Sequence, residues 1–193
     1  LFDCVSVSSD SDEILNIAKD FGANLLIKRP EELATDSTPK LFVIQHCMIE
    51  TEKARNIKFD TIVDMDCTSP LRSVNDIAES IKLFESTNEA SNLITGTKAR
   101  RSPYFNMVAK KDDGFVELAA QSDKHIVRRQ DAPNCYDMNA SIYIWSRESL
   151  MYSKKIISEK TLIYEMPEER SLDIDSNFDF EIVSFLLERR NYE

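Results

Sequence analysis

Four aspartates set the chemistry open to this chain. Asp64 and Asp66 flank Met65, and Asp173 and Asp175 flank Ile174. In an extended strand, side chains at i and i+2 share a face. Each pair therefore offers two carboxylates side by side, just before a turn that delivers them to the rim of a sheet. Carboxylates gathered there suit a Mg²⁺ ion held against phosphate oxygens. Asp173 and Asp175 form the stronger pair, because two carboxylates beside the apolar Ile174 repel each other unless a cation offsets the repulsion. The plainer reading is a solvated strand end in which Asp175 or Ser176 caps the next helix.

Asp64 and Asp66 admit two functional readings. One is metal or substrate binding beside the turn Thr68-Ser69-Pro70-Leu71-Arg72. The other is a phosphatase: Asp64-Met65-Asp66-Cys67-Thr68 matches the D-x-D-x-T pattern of haloacid-dehalogenase-like phosphotransferases, whose first aspartate attacks phosphorus. That pattern normally opens its domain, whereas strand and helix units precede it here. In the turn itself, Thr68 and Ser69 offer hydroxyls and N–H groups, Pro70 fixes the backbone, and Arg72 brings a planar fork for an anion.

Net charge is −10 and the pI about 4.8. A nucleic-acid partner, whose binding rests on Lys and Arg, is not expected, and any phosphate site must be built locally. The cysteines Cys4, Cys47, Cys67 and Cys135 are widely spaced, without a C-x-x-C. They read as reduced thiols of a cytoplasmic protein. With only His46 and His125, a histidine-rich metal site is not expected. No apolar run reaches the roughly 20 residues of a membrane span. The chain opens at Leu1 inside an apolar run, so an N-terminal segment is expected to be missing.

The elements that must position these groups alternate. Strands are predicted at Cys4–Ser8, Asn24–Lys28, Thr61–Met65, Asn92–Thr97, Ser141–Trp145 and Thr161–Glu165. Between them lie helices. The first has Asp10 as cap and Ile14, Ile17, Ala18 and Phe21 as its buried stripe. A second runs from Thr38-Pro39 to about Arg55 over Phe42, Ile44, Cys47 and Met48. A third, capped by Ser73, runs from Val74 to about Thr87 with Ile77, Ile81 and Phe84 inward, and a last one over Phe178–Arg190 has Phe178, Ile182, Val183, Leu186 and Leu187 inward. This rhythm implies one α/β domain spanning 1–193, a mostly parallel sheet flanked by helices. It breaks at about 98–138, where two short strands around Asp112-Asp113-Gly114 and a basic loop with Lys124, Arg128 and Arg129 read as an inserted hairpin and arm. In α/β sheets ligands bind at the carboxyl ends of strands, where the loop from Arg29 to Asp36 lies. Arg129-Gln130 and Asn139-x-x-x-Tyr143 bracket the return to the sheet, with side chains suited to an acidic sugar.

In order, these strings resemble the acylneuraminate cytidylyltransferases, the CMP-sialic acid and CMP-nonulosonic acid synthetases. The matching strings are Ser8-Ser9-Asp10, Arg29-Pro30-x-Glu32-Leu33-Ala34-x-Asp36, Thr68-Ser69-Pro70-Leu71-Arg72, Arg129-Gln130 with Pro133, Asn139-x-x-x-Tyr143-Ile144 and Asp173-Ile174-Asp175. The resemblance implies a Rossmann-like nucleotidyltransferase domain with a dimerisation arm, hence a homodimer. It implies transfer of CMP from CTP to a 2-keto-3-deoxy sugar acid with release of pyrophosphate. Asp173 and Asp175 would then be the catalytic pair that holds Mg²⁺. Arg29, Asp36, Thr68 and Ser69 would lie against the nucleotide, and Asp66, Arg72, Arg129, Gln130, Asn139 and Tyr143 would face the sugar. The family's first strand and Gly-rich phosphate loop would lie upstream of Leu1. Asp66-Cys67 stands where many members carry Gln-Pro, and Asp137 where many carry Arg, which points to a bacterial nonulosonic acid such as legionaminic acid. An incomplete copy that binds a nucleotide sugar without turnover is the non-enzymatic alternative.

Overall fold

The computed structural model describes residues 1–121, 126 and 128–190; at 129 and 190 the description is of backbone alone, and Lys124 and His125 lie outside it. The elements are β1 (Ser6–Ser9), α1 (Asp12–Asp20), β2 (Leu25–Lys28), α2 (Lys40–Arg55), β3 (Thr61–Met65), α3 (Val74–Glu85), β4 (Asn92–Lys98), β5 (Val108–Lys110), β6 (Val116–Leu118), β7 (Tyr136–Ser146), α4 (Arg147–Tyr152), β8 (Thr161–Glu165) and α5 (Asn177–Arg190). Short 3-10 turns occupy Glu31–Leu33, Arg129–Asp131 and Glu168–Arg170. Among the described residues no helix is long and apolar enough to cross a membrane.

The expected α/β class holds, with a mixed sheet. β1 and β2 pair in parallel, Ser6 opposite Leu25 through Ser9 opposite Lys28. A second sheet has the order β3-β7-β4-β8. The Arg147 N–H donates to Asp60 O and the Asp66 N–H to Ser141 O, so β3 and β7 run antiparallel. The Ser91 N–H donates to Lys160 O and the Met166 N–H to Gly96 O, so β4 and β8 run parallel. β7 is antiparallel because it enters the sheet from the insertion and not from a helical crossover. β5 and β6 form the expected hairpin, Val108 opposite Leu118. A Cβ on Gly96 would stand 2.8 Å from Asp137 O, so only glycine allows β4 and β7 this close.

Two compact units emerge. The first comprises Leu1–Asp64, Ala78–Leu93 and Tyr143–Leu162; the second comprises Met65–Ile77, Ile94–Ile142 and Ile163–Glu193. In the first, α2 buries Leu41, Ile44, Met48, Thr51 and Glu52, a helical stripe displaced from the predicted one, with Phe42 exposed. The α1 expectation is also corrected. Ser11, not Asp10, is its N-cap, and only Leu15 is buried while Ile14, Ile17 and Phe21 are exposed. Nine residues packed on a two-stranded sheet cover one contact row, not a full stripe. Ion pairing completes this unit. The carboxylate of Glu52, 3 % exposed, accepts from Arg147 Nε (2.7 Å) and Nη2 (3.0 Å), from Lys58 Nζ and from the Phe59 N–H. The Arg147 guanidinium, with Lys58 and the Phe59 amide, holds its pKa at about 2 although burial pushes the other way.

In the second unit Leu71, Ile142 and Met166 are almost fully enclosed. Among its described residues α5 contributes only Val183 to the buried set, leaving Phe178 and Leu187 exposed against expectation. Ser73 caps α3 as predicted: its hydroxyl accepts from the Asp76 N–H (3.1 Å), and Asp76 Oδ2 accepts from the Ser73 N–H (2.8 Å). This is the reciprocal arrangement of a capping box, with aspartate in the third position.

Candidate functional site

Beyond Met65 the chain leaves β3 and turns sharply. Asp66 Oδ1 accepts from the Thr68 N–H (3.2 Å) and hydroxyl (3.0 Å), and the Ser69 N–H donates to Asp66 O. Arg72 Nη1 reaches back into the bend and donates to Asp66 O (2.7 Å), Ser69 O (2.7 Å) and Ser141 O (3.3 Å). Ser69, 1 % exposed, donates its hydroxyl to Asn139 O. The pentapeptide is thus a self-braced corner, its arginine spent partly on its own carbonyls. Because the strand ends at Met65, the rule that puts i and i+2 on one face does not carry from Asp64 to Asp66. Asp64 has a different environment. Its Oδ2 lies 3.1 Å from Lys40 Nζ, and that ammonium sits 4.3 Å from the ring centroid of Tyr143, which stacks on Trp145 at 5.7 Å.

The second acidic pair comes to the corner. After the turn Glu168–Arg170 the chain runs from Ser171 to Asp175, and the Ile174 N–H donates to Thr68 O at 2.9 Å. Asp173 is half-buried and Asp175 exposed. Burial first, then the charges of Asp175, Asp179 and Asp66, push the Asp173 carboxyl above its ordinary range. Capping involves the Asp175 N–H, which donates to Asp179 Oδ2, but does not account for the Asp175 carboxylate. Ser176 and Asp179 cap α5 reciprocally, the Asp179 N–H donating to Ser176 Oγ and that hydroxyl to Asp179 Oδ2.

The chemistry of these two carboxylates would suit Mg²⁺, since a cation would offset both the burial and the neighbouring charges that push Asp173 upward. Among the described residues no group of three or more His, Cys, Asp or Glu forms a closed metal cage. Mg²⁺ is commonly held by one or two carboxylates, with water and substrate phosphates completing its octahedron.

The remaining residues singled out by sequence fall in different places. Asn139, 3 % exposed, has both ends of its amide engaged. Its Oδ1 accepts from Thr95 Oγ1 (2.7 Å), and its Nδ2 donates to Ser171 Oγ (3.1 Å). Next to it Ala140 adopts φ +47°, a left-handed conformation that costs a non-glycine residue of order 1 kcal/mol or more and clusters at functional sites. In the first unit, Arg29 is pinned at the carboxyl end of β1 by Ser8 O (2.7 Å) and Ser8 Oγ (3.3 Å), Asp36 is exposed in its loop, and Tyr143 is buried. Gln130 lies exposed in the 3-10 turn Arg129–Asp131; for Arg129 the backbone places it in the same turn.

Sequence patterns do not single out Asp76, Arg170 or Ser171. Asp76 is completely buried and takes Arg170 Nε (2.8 Å) and Nη2 (2.9 Å) on its two oxygens. The one available signal is that Asp76 stands three residues after the cap Ser73; for Arg170, 94 residues away, the sequence has none.

The chain is 40 % identical over 191 residues to the CMP-N,N'-diacetyllegionaminic acid synthase of Campylobacter jejuni, a match spanning 99 % of this chain and 80 % of that protein. It is 37 % identical over 193 residues to the post-translational flagellin modification protein B of Campylobacter coli, spanning all of this chain and 80 % of the relative. In fold it is similar to CMP:2-keto-3-deoxy-manno-octonic acid synthetase solved with CTP, with a TM-score of 0.62 at 13 % identity, over 96 % of this chain and 81 % of that one. The cytidylyltransferase family model matches residues 1–190, and the chain belongs to that family of nucleotidyltransferases.

Proposed function

We propose that this enzyme transfers CMP from CTP to the anomeric hydroxyl of a 2-keto-3-deoxy sugar acid of the legionaminic and sialic acid class, releasing pyrophosphate. The observation that carries the reading is the Ile174–Thr68 hydrogen bond, which fixes Asp173 and Asp175 at the Thr68–Arg72 corner. The relative named for N,N'-diacetyllegionaminic acid supports the choice of sugar.

In this reading the sugar hydroxyl attacks the α-phosphorus in line and pyrophosphate leaves. Asp173 and Asp175 would hold Mg²⁺, which when bound supplies neutralisation of charge on the triphosphate. The protein's own contribution is placement. Asp66 and Thr68 present the edge of the corner to substrate. Ser69, Arg72 and Asn139 act beneath it by keeping its shape. Arg29 and Asp36 serve the nucleotide, and Arg129 and Gln130 the sugar. Tyr143, being buried, would act through the Lys40 ammonium on its face. The reaction would run in the cytoplasm, where Cys4, Cys47, Cys67 and Cys135, all free thiols, stay reduced.

Pyrophosphate release with CTP, Mg²⁺ and a panel of acidic sugars tests the reading. Turnover is expected with N,N'-diacetyllegionaminate, at a kcat/KM about tenfold or more above that for N-acetylneuraminate. Release of inorganic phosphate from a phosphomonoester without CTP would instead make Asp64 a nucleophile. None of the relatives and structural neighbours above is named as a phosphatase.

The hairpin supports a homodimer as the working form. Val108, Phe115, Val116 and Leu118 are all exposed on and around β5 and β6, a density of apolar surface that monomers seldom leave in water. Val116→Asp is expected to shift the protein from dimer to monomer in sedimentation or light scattering; an unchanged mass would remove the hairpin from the interface.

A further inference from the structure

We propose that Asp76 and Arg170 are a positioning pair for the reaction: by clamping the turn that precedes Asp173, they set the two metal-carrying carboxylates against the Thr68–Arg72 corner. The inference rests on the proposed role of Asp173 and Asp175.

Besides the bonds within its own turn and the Asp175 N–H to Asp179 Oδ2, three tethers hold the 170–175 segment. Arg170 grips Asp76 with two N–H groups, at 2.8 and 2.9 Å. Ser171 Oγ accepts from Asn139 Nδ2 and donates to Pro167 O. The Ile174 N–H donates to Thr68 O. Of the three, the first is the only one made by full charges, and one of its partners is wholly shielded from water. Asp76 also takes the Ser73 N–H and hydroxyl, so it is anchored to the residue directly after Arg72. One carboxylate therefore joins both halves of the site: through Ser73 it fixes where the corner ends and α3 begins, and through Arg170 it fixes where the acidic segment begins. A two-pronged guanidinium–carboxylate contact sets orientation as well as distance, and a lysine cannot reproduce it. Neither Asp76 nor Arg170 need touch substrate for this. They act through Asp173 and Asp175, as groups behind a metal's ligands commonly do.

The test compares Arg170→Gln, Arg170→Lys and the neutral double variant Asp76→Asn/Arg170→Gln with the parent. The double variant leaves no buried lone charge and guards against simple misfolding. Amide exchange at Ile174 is read by NMR beside that at Thr95. The thermal midpoint, kcat, the Mg²⁺ concentration for half-maximal rate, and Mn²⁺ binding by EPR without turnover are measured on the same samples. In Arg170→Gln, Ile174 exchange should rise about tenfold or more with Thr95 unchanged. Mn²⁺ affinity and kcat should each fall by about 10- to 100-fold, and Arg170→Lys should recover part of both. Unchanged Ile174 exchange in Arg170→Gln overturns the clamp. So does a uniform rise at Ile174 and Thr95 that follows the thermal midpoint, since that marks a purely structural pair. Faster Ile174 exchange with Mn²⁺ binding and kcat untouched overturns the proposal as well, since the pair then tethers the segment without setting the carboxylates; the metal role of Asp173 and Asp175 falls only if Asp175→Asn itself leaves Mn²⁺ binding unchanged.

Discussion

Asp175→Asn is expected to lower the rate of pyrophosphate release by about 10³-fold, the scale on which preorganised charge stabilisation acts. The fold should survive, because Asp175 is exposed and its cap duty belongs to Ser176 and Asp179. Asp173→Asn should lose as much activity, with one further effect. Burial and the neighbouring carboxylates push the Asp173 carboxyl upward, so at neutral pH its charge works against folding when no cation is present. The amide removes that charge. Metal-free Asp173→Asn should therefore melt above the metal-free parent, and the gap should shrink or invert when Mg²⁺ and CTP are added. The measurement is thermal unfolding with and without Mg²⁺–CTP beside a pyrophosphate assay. A variant that keeps parental turnover, or melts lower than the parent without metal, would contradict the assignment.

Glu52→Gln carries the largest expected cost in stability, about 3–5 kcal/mol. Its buried carboxylate ties Arg147, at the start of α4, and Lys58 and Phe59, before β3, to the last turns of α2. Losing it leaves the Arg147 guanidinium facing a neutral amide. For a domain of this size that lowers the thermal midpoint by roughly 6–20 °C. The same group predicts a pH dependence. Folded, the carboxyl titrates at about 2; its ordinary value is 4.5. A depressed folded pKa gives stability that is fully present above 4.5 and drains away as pH falls toward 2. Urea midpoints of the parent between pH 6 and 2.5 should fall through that window, with Glu52→Gln showing a shallower slope. Parallel slopes for the two proteins would assign the acid sensitivity to other carboxylates.

Much of this was legible in the residues, unevenly. β3 and β8 lie where periodicity and β-branched content put them, and Ser73 caps α3 as a hydroxyl residue directly before an apolar helical run commonly does. Buried faces were less legible. Ile14, Ile17 and Phe21 have good helical spacing, yet they stand in solvent because burial depends on what a helix packs against, which no local pattern encodes. The direction of β7 was hidden for a related reason: the rhythm of strands and helices records succession, not which neighbour a strand will pair with once an insertion interrupts it. At the site, acidic pairs and a proline-bearing turn advertise themselves through their chemistry. Asp76 and Arg170 do not, because a buried ion pair between residues so distant in sequence leaves no trace in spacing.

The link between Ile174 and Thr68 joins main chain to main chain. No side chain takes part, so what stands at 173 and 175 can be exchanged while the socket that carries it keeps its shape. Histidine or glutamate grafted there would inherit the same mounting. On the proposed metal role of Asp173 and Asp175, two codons would then be enough to retune metal preference, without recasting the frame around them.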